Sequence, residues 1–172
     1  MITTRRKFTA AASALFTVGY LKGARGDGLA QPTGKPVLTI SGKISIYNKG
    51  NTAVFDLPML EALGSDTIRT RTPWYDHVVV FQGVLMRTLL HTVGATGTNV
   101  QVIALNDYFC DIPVSDFSEF PVLLAYKRDG ALMPVNDKGP LFIVYPYDTD
   151  TALQSQKYYS RSSWQVAKIQ VQ

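Results

Sequence analysis

Four short stretches bring together residues capable of recognition chemistry. Thr70-Arg71-Thr72-Pro73-Trp74 sets a hydroxyl beside an indole, and the proline fixes its own φ and drives Thr72 into extended backbone, so both groups point in defined directions. Leu105-Asn106-Asp107-Tyr108 interrupts two apolar segments with an amide, a carboxylate and a phenol. DKGPLFIVYPYD, Asp137 to Asp148, turns at Gly139-Pro140 into a strand ending at Tyr145-Pro146, and YYSRSSWQ, Tyr158 to Gln165, offers a guanidinium, hydroxyls and a second indole. Strand ends and turns are where sites tend to be built. Each stretch alone is equally explained by turn geometry or by core packing.

Other chemistries find little support. His77 and His91 are the only histidines; one opens a strand, the other sits on the polar side of a helix, and neither has the neighbours that a zinc site of three or four ligands requires. The chain holds no G-x-S-x-G, H-E-x-x-H, Walker loop or G-x-G-x-x-G. Its one cysteine, Cys110 in N-D-Y-F-C-D-I-P, lies in an alternating segment where Tyr108, Cys110 and Ile112 share a face. It reads as a small apolar residue of a strand rather than a nucleophile or ligand. A single cysteine also excludes an intramolecular disulfide, so stability must come from packing.

The elements that must position these residues are mostly strands. Val37 to Ile40 and Lys43 to Tyr47 alternate about a Ser41-Gly42 turn, and further alternation runs through His77 to Phe81, Asn99 to Leu105, Tyr108 to Ile112, Leu141 to Tyr145 and Ser163 to Val171. Helical spacing is rarer. Pro58 to Leu63 predicts a short helix; Leu85, Leu89, Leu90 and Val93 predict another over Met86 to Val93, stopped by Gly94. A third is expected to start at Ser115 as N-cap and end before Pro121. With no repeat, low-complexity tract or linker, the expectation is one β-rich α+β domain with a few short helices, over residues 31–172.

Residues 1–30 read as a signal peptide. Arg5, Arg6 and Lys7 precede an uncharged run of 14 residues, Phe8 to Leu21, and small residues lead to Ala30. A membrane-spanning helix needs about 20 residues, so export into the periplasm is expected rather than a permanent anchor. Thr4 to Phe8 resembles the twin-arginine motif, while paired arginines also occur in ordinary secretory signals; both routes stay open. This leader carries five of the 17 bases and one of the 13 acids, leaving twelve of each. The pI of about 9.2 therefore belongs mainly to the leader, and nucleic acid is not an expected partner.

Taken in order, several segments resemble the sulfite-oxidase-type fold of molybdopterin-dependent oxidoreductases: FQGVLMRTLL (Phe81 to Leu90), the run into Ile112-Pro113, VLLAYKRDGALMP (Val122 to Pro134), KGPLFIVYP (Lys138 to Pro146) and WQVAKIQV (Trp164 to Val171). The resemblance covers nearly all of residues 37–171. In catalytic members of that family a cysteine thiolate ligates molybdenum just before the F-x-G segment, at a position matched here by Arg69 to Trp74, which holds no cysteine. That departure implies a pterin pocket without the metal. T-P-W, L-N-D-Y, K-G-P and R-S-x-W-Q are closer still to a subgroup of periplasmic proteins that bind a free pterin and act on membrane-bound enzymes of cyclic di-GMP turnover. The resemblance implies a free monapterin- or neopterin-like ligand, no metal, and a partner in the periplasmic region of an inner-membrane signalling protein. Trp74, Tyr108 or Trp164 would supply a stacking face, Asp107 and Asn106 the contacts to the pterin edge, and Arg161, Ser162 and Thr72 the polar remainder. A molybdopterin-dependent oxidoreductase and an interaction module without a ligand are the competing expectations.

Overall fold

The structure is a computed structural model that describes residues 28–172; the leader reading falls, up to residue 27, outside the described residues. Two sheets carry the domain. The first contains β1 (Pro36–Gly42), β2 (Ala53–Asp56), β5 (Asn99–Ala104), β6 (Phe109–Pro113) and β10 (Val166–Val171), in the order β2-β1-β10-β5-β6. Only β1 and β10 run parallel; the other neighbours are antiparallel. The second sheet runs β3 (Asp66–Thr72), β4 (Tyr75–Leu85), β7 (Leu123–Arg128), β8 (Ala131–Leu132), with β9 (Phe142–Val144) also paired to β7. Short helices fill the connections: α1 (Leu57–Ala62), α2 (Met86–Thr92), α3 (Ser115–Glu119) and α4 (Gln156–Arg161). The α+β, strand-rich, single-domain class is thus as expected.

Alternation explains much of the first sheet. Val100, Val102 and Ala104 of β5 are buried, as are Val166, Ile169 and Val171 of β10. The odd spacing from Val166 to Ile169 reflects a bulge in its pairing with β5, where one extra residue restores the buried face. β7 instead buries four residues in succession, Leu123 to Tyr126, the pattern of an interior strand whose two faces are both covered. In α2 the buried residues are Met86, Leu89 and Leu90, and Gly94, at φ 59°, ends the helix in the left-handed conformation that glycine tolerates.

Asp56 is the local device at the start of the chain. It caps α1 by accepting from the Met59 amide at 3.0 Å, and it receives the amides of Thr33 at 2.8 Å and Gly34 at 2.7 Å. One buried carboxylate thereby fixes both a helix start and the lead into β1. Those amides, Gly34 first and Met59 next, hold its carboxyl below the usual carboxylate range.

Some expectations need correction. Lys43 to Tyr47 is not a strand hairpinned to β1. The positions beside β1 belong to β2 and β10, while the Lys43 amide bonds Val171 O and the Ser45 and Ile46 amides bond Val93 O; backbone groups already used in this way cannot form a ladder. Gly42, at φ 91°, makes the departure: a Cβ there would lie 2.1 Å from Val171 O. The strand expected from Ser163 begins at Val166, because Gln165 adopts φ 54° and breaks the extended run. α3 occupies the expected place, but its cap is Val114 with no side-chain bond, and Ser115 is already helical. β2, β3, β7, β8 and α4 had no counterpart among the strands and helices expected from the sequence.

Candidate functional site

Three connections converge at one end of the molecule. The first is the two-residue link between β3 and β4, Pro73-Trp74, where the Trp74 amide donates to the Thr72 hydroxyl at 3.3 Å. Trp74 is half-buried, and four rings meet it at steep angles: Phe142 at 5.4 Å, Trp164 at 5.7 Å, Tyr159 at 6.0 Å and Tyr147 at 6.2 Å between centroids. Edge-to-face contacts of this kind suit the ring quadrupole and leave the indole firmly placed.

The second is the β5–β6 turn. Asp107 adopts φ 63° and its amide donates to Ala104 O at 3.2 Å, closing the turn. The Asn106 carbonyl oxygen accepts from the Tyr108 amide at 3.2 Å, which leaves the Asn106 NH2 group as the free donor of that side chain. Tyr108 donates its hydroxyl to Ser160 O at 3.1 Å, so the turn is tied to α4.

The third is α4 with the Ser162-Ser163-Trp164 segment after it. The Ile143 amide donates to Ser163 O at 2.9 Å and Trp164 bridges to Phe142, anchoring this segment beside β9. Successive helical residues diverge: Tyr158 is buried, whereas Tyr159 takes part in the ring cluster around Trp74. Ser162 is buried, donates to Tyr158 O at 2.7 Å and is hydrogen bonded to the Tyr147 hydroxyl, whose pKa is raised chiefly by burial.

Between these connections lies a cavity of about 400 Å³, with Trp74, Tyr108, Tyr159 and Trp164 as aromatic walls and Asn106, Gln156, Ser160 and Ser163 among its polar groups. Among the described residues, no Asp, Glu, Lys, Arg or His lines it. Its size falls within the range of small-ligand sites, roughly 300 to 1,000 Å³. An uncharged, aromatic enclosure favours a flat neutral molecule, because a net charge transferred there would lose hydration without an ionic partner. A second hollow of about 230 Å³ adjoins it across Pro73 and Tyr159 and contains Arg71, Thr72, Asp148 and Gln154.

Of the residues singled out in the sequence, Trp74, Asn106, Tyr108, Ser162 and Trp164 meet at the main cavity. Thr72 lies in the second hollow instead. Asp107 lines neither; it is the exposed turn residue between Asn106 and Tyr108. Arg161 also lines neither, and its guanidinium bonds Asp116 at 2.7 Å. Ser162 borders the cavity, but its hydroxyl is committed to Tyr158 and Tyr147. Gln156 lies outside the four stretches, and Tyr159, Ser160 and Ser163 lie within YYSRSSWQ without having been assigned a contact. Gln156, Tyr159 and Ser160 are placed by α4, whose six residues are too few to display a helical period, and Ser163 by the segment after it; the polar Ser155 ahead of Gln156 was the one available start signal.

Cys110 is half-buried, with its thiol 3.9 Å from Arg161 O, and it lines neither hollow. Burial, aided by Asp111, raises the thiol pKa to about 11. For molybdenum held by a protein thiolate the residues do not fit: Arg69 to Trp74 contains no cysteine and Cys110 stands apart from the cavity. A comparison of the chain with family models gives no match, and a search of curated proteins gives none either.

Proposed function

We propose that this chain is a periplasmic pterin-binding protein of sulfite-oxidase type, which holds a free monapterin- or neopterin-like pterin without molybdenum and relays occupancy to a membrane-bound cyclic di-GMP signalling enzyme. The observation that carries the reading is the uncharged cavity walled by Trp74 and Trp164, whose planes stand at 78°. A pterin is a flat, neutral bicycle with an edge of alternating donors and acceptors. One indole offers a face and the other closes an edge, while the Asn106 NH2 group donates to the 4-oxo oxygen and the Gln156 carbonyl accepts from the 2-amino group. Tyr108 and Trp164, which line the cavity, are exposed large apolar residues, as are Leu105 and Phe109 at the same β5–β6 turn, which supports a partner docking where occupancy is felt.

Both tryptophans of the chain line the cavity, so intrinsic fluorescence reports directly on it. Titration of the protein with an oxidised pterin is expected to quench that emission saturably, and Trp164→Ala, which removes a half-exposed wall, is expected to weaken binding by about tenfold, the scale of one lost stacking contact and its buried area. Absence of saturable quenching, together with absence of any pterin in the material released on denaturing the purified protein, would refute the reading.

A further inference from the structure

We infer that the second hollow is the tail subsite of the same pterin site and that it selects a neutral, polyhydroxylated side chain over a phosphorylated one; the inference rests on the pterin reading. Pro73 and Tyr159 line both hollows, and in the inferred arrangement a bicycle stacked in the larger one passes its side chain over these two residues. Among the described residues the change in character across these two residues is abrupt: no charged side chain lines the larger hollow, whereas Arg71 and Asp148 line the smaller.

The polar groups of the second hollow are half-used in a pattern that suits hydroxyls. The Asp148 carboxylate accepts the Arg71 amide through Oδ2 at 2.9 Å, leaving Oδ1 to accept. Its own amide donates to Thr70 Oγ1 at 3.1 Å, so the carboxylate is held in place from both sides of the link. Gln154 donates Nε2 to Tyr147 O at 3.0 Å, leaving its carbonyl oxygen to accept. Thr72 accepts the Trp74 amide, leaving its O–H to donate. The Arg71 guanidinium forms no ion pair among the described residues and supplies further donors.

Each hydroxyl of a polyol is donor and acceptor at once, and so finds both kinds of partner here. A phosphate ester has only acceptors at neutral pH. It would satisfy Arg71 but would place two negative charges against the fixed carboxylate of Asp148 without a proton to offer it. The charges of the hollow cancel, and that balance discriminates against an anionic tail.

The test is a set of fluorescence titrations of the full chain with 6-methylpterin, a 6-(trihydroxypropyl)pterin and the phosphate monoester of the latter. The trihydroxypropyl compound is expected to bind about tenfold more tightly than either of the others, the scale of one or two well-made hydrogen bonds. Arg71→Ala is expected to narrow its advantage over 6-methylpterin. Asp148→Asn keeps an acceptor for the Arg71 amide and is expected to raise the affinity for the phosphate ester. Equal binding of tailed and tail-less compounds overturns the subsite while leaving the pterin reading standing. Tighter binding of the phosphate ester overturns the neutral-tail selection, and failure of all three compounds to bind overturns the pterin reading and the subsite with it.

Discussion

Arg161 places Nη1 2.7 Å from Asp116 Oδ2, joining α4 to α3 across 45 residues of sequence, and the same oxygen receives the Tyr145 hydroxyl at 2.7 Å. Asp116 is buried and Arg161 nearly so, with side-chain exposures of 7% and 18%. A carboxylate removed from water is tolerable only with partners of this kind. Burial, followed by the Asp116 contact, raises the Tyr145 pKa, so the phenol stays protonated and keeps donating.

Arg161→Met should therefore destabilise the domain by about 3 kcal/mol in urea denaturation, because it leaves Asp116 with the phenol alone. Arg161→Met combined with Asp116→Asn should recover much of that loss, since removing both charges leaves no unpaired ion while the amide oxygen still accepts the Tyr145 hydroxyl. A double variant no more stable than the single one would show that the pair acts in some other way.

Asp107→Gly should leave the domain as stable as before or slightly more so, because glycine adopts φ 63° without the steric cost that a Cβ carries. Pterin affinity should stay within about twofold, while Asn106→Ala should lose about tenfold through the loss of its amide contact to the pterin edge. A large loss in Asp107→Gly, measured on protein with an unchanged circular dichroism spectrum, would return Asp107 to the edge-binding role expected from L-N-D-Y.

The thiol of Cys110 offers a test at alkaline pH. With a folded pKa of about 11 against an ordinary value of 9.0, the neutral thiol is favoured in the fold. Its contribution is complete below pH 9 and is lost as pH rises toward 11. Compared with Cys110→Ser, the wild type should lose stability over this window with a slope below about 1.4 kcal/mol per pH unit, because water reaches part of the thiol and screens the effect. Cys110→Ser should bind pterin normally. Thermal unfolding of both proteins at a series of pH values provides the comparison, and parallel curves would contradict the raised pKa.

Asp56 works in the opposite sense at acid pH. Its carboxyl titrates below the ordinary 3.8 in the folded chain, so its stabilisation is present above that value and disappears as pH falls through the lowered one. Asp56→Asn should lower Tm by several degrees at neutral pH, flatten the acid branch of the stability curve, and expose the Gln31 to Pro36 lead to limited proteolysis. Equal cleavage of wild type and variant would argue against a clamp on that lead.

The elements most legible in the sequence are those whose pattern completes itself within a few residues. α2 announces itself through Leu85, Leu89, Leu90 and the Gly94 stop, and β5 through Val100 and Val102. The aromatic and amide members of the site were visible for a similar reason: Trp74 follows a proline, and Asn106 and Tyr108 flank a turn. Lys43 to Tyr47 misled because alternation registers only that a segment could pair. Whether a partner strand remains available is settled by β2, β10 and the end of α2, of which the last two lie far away in sequence.

The sequence by itself determined the fold class and the sorting of apolar from polar positions, since both rest on short-range periodicity and backbone preference. Only the tertiary structure decided which polar residues face the cavity. Arg161 was as good a ligand candidate as Asn106 until Asp116, 45 positions away, was found to hold it. Gln156 was without any distinguishing signal until α4 brought it to the cavity that Trp74 and Asn106 also line. A side chain's chemistry is a property of its type, whereas its availability depends on partners that long-range packing brings within hydrogen-bonding distance.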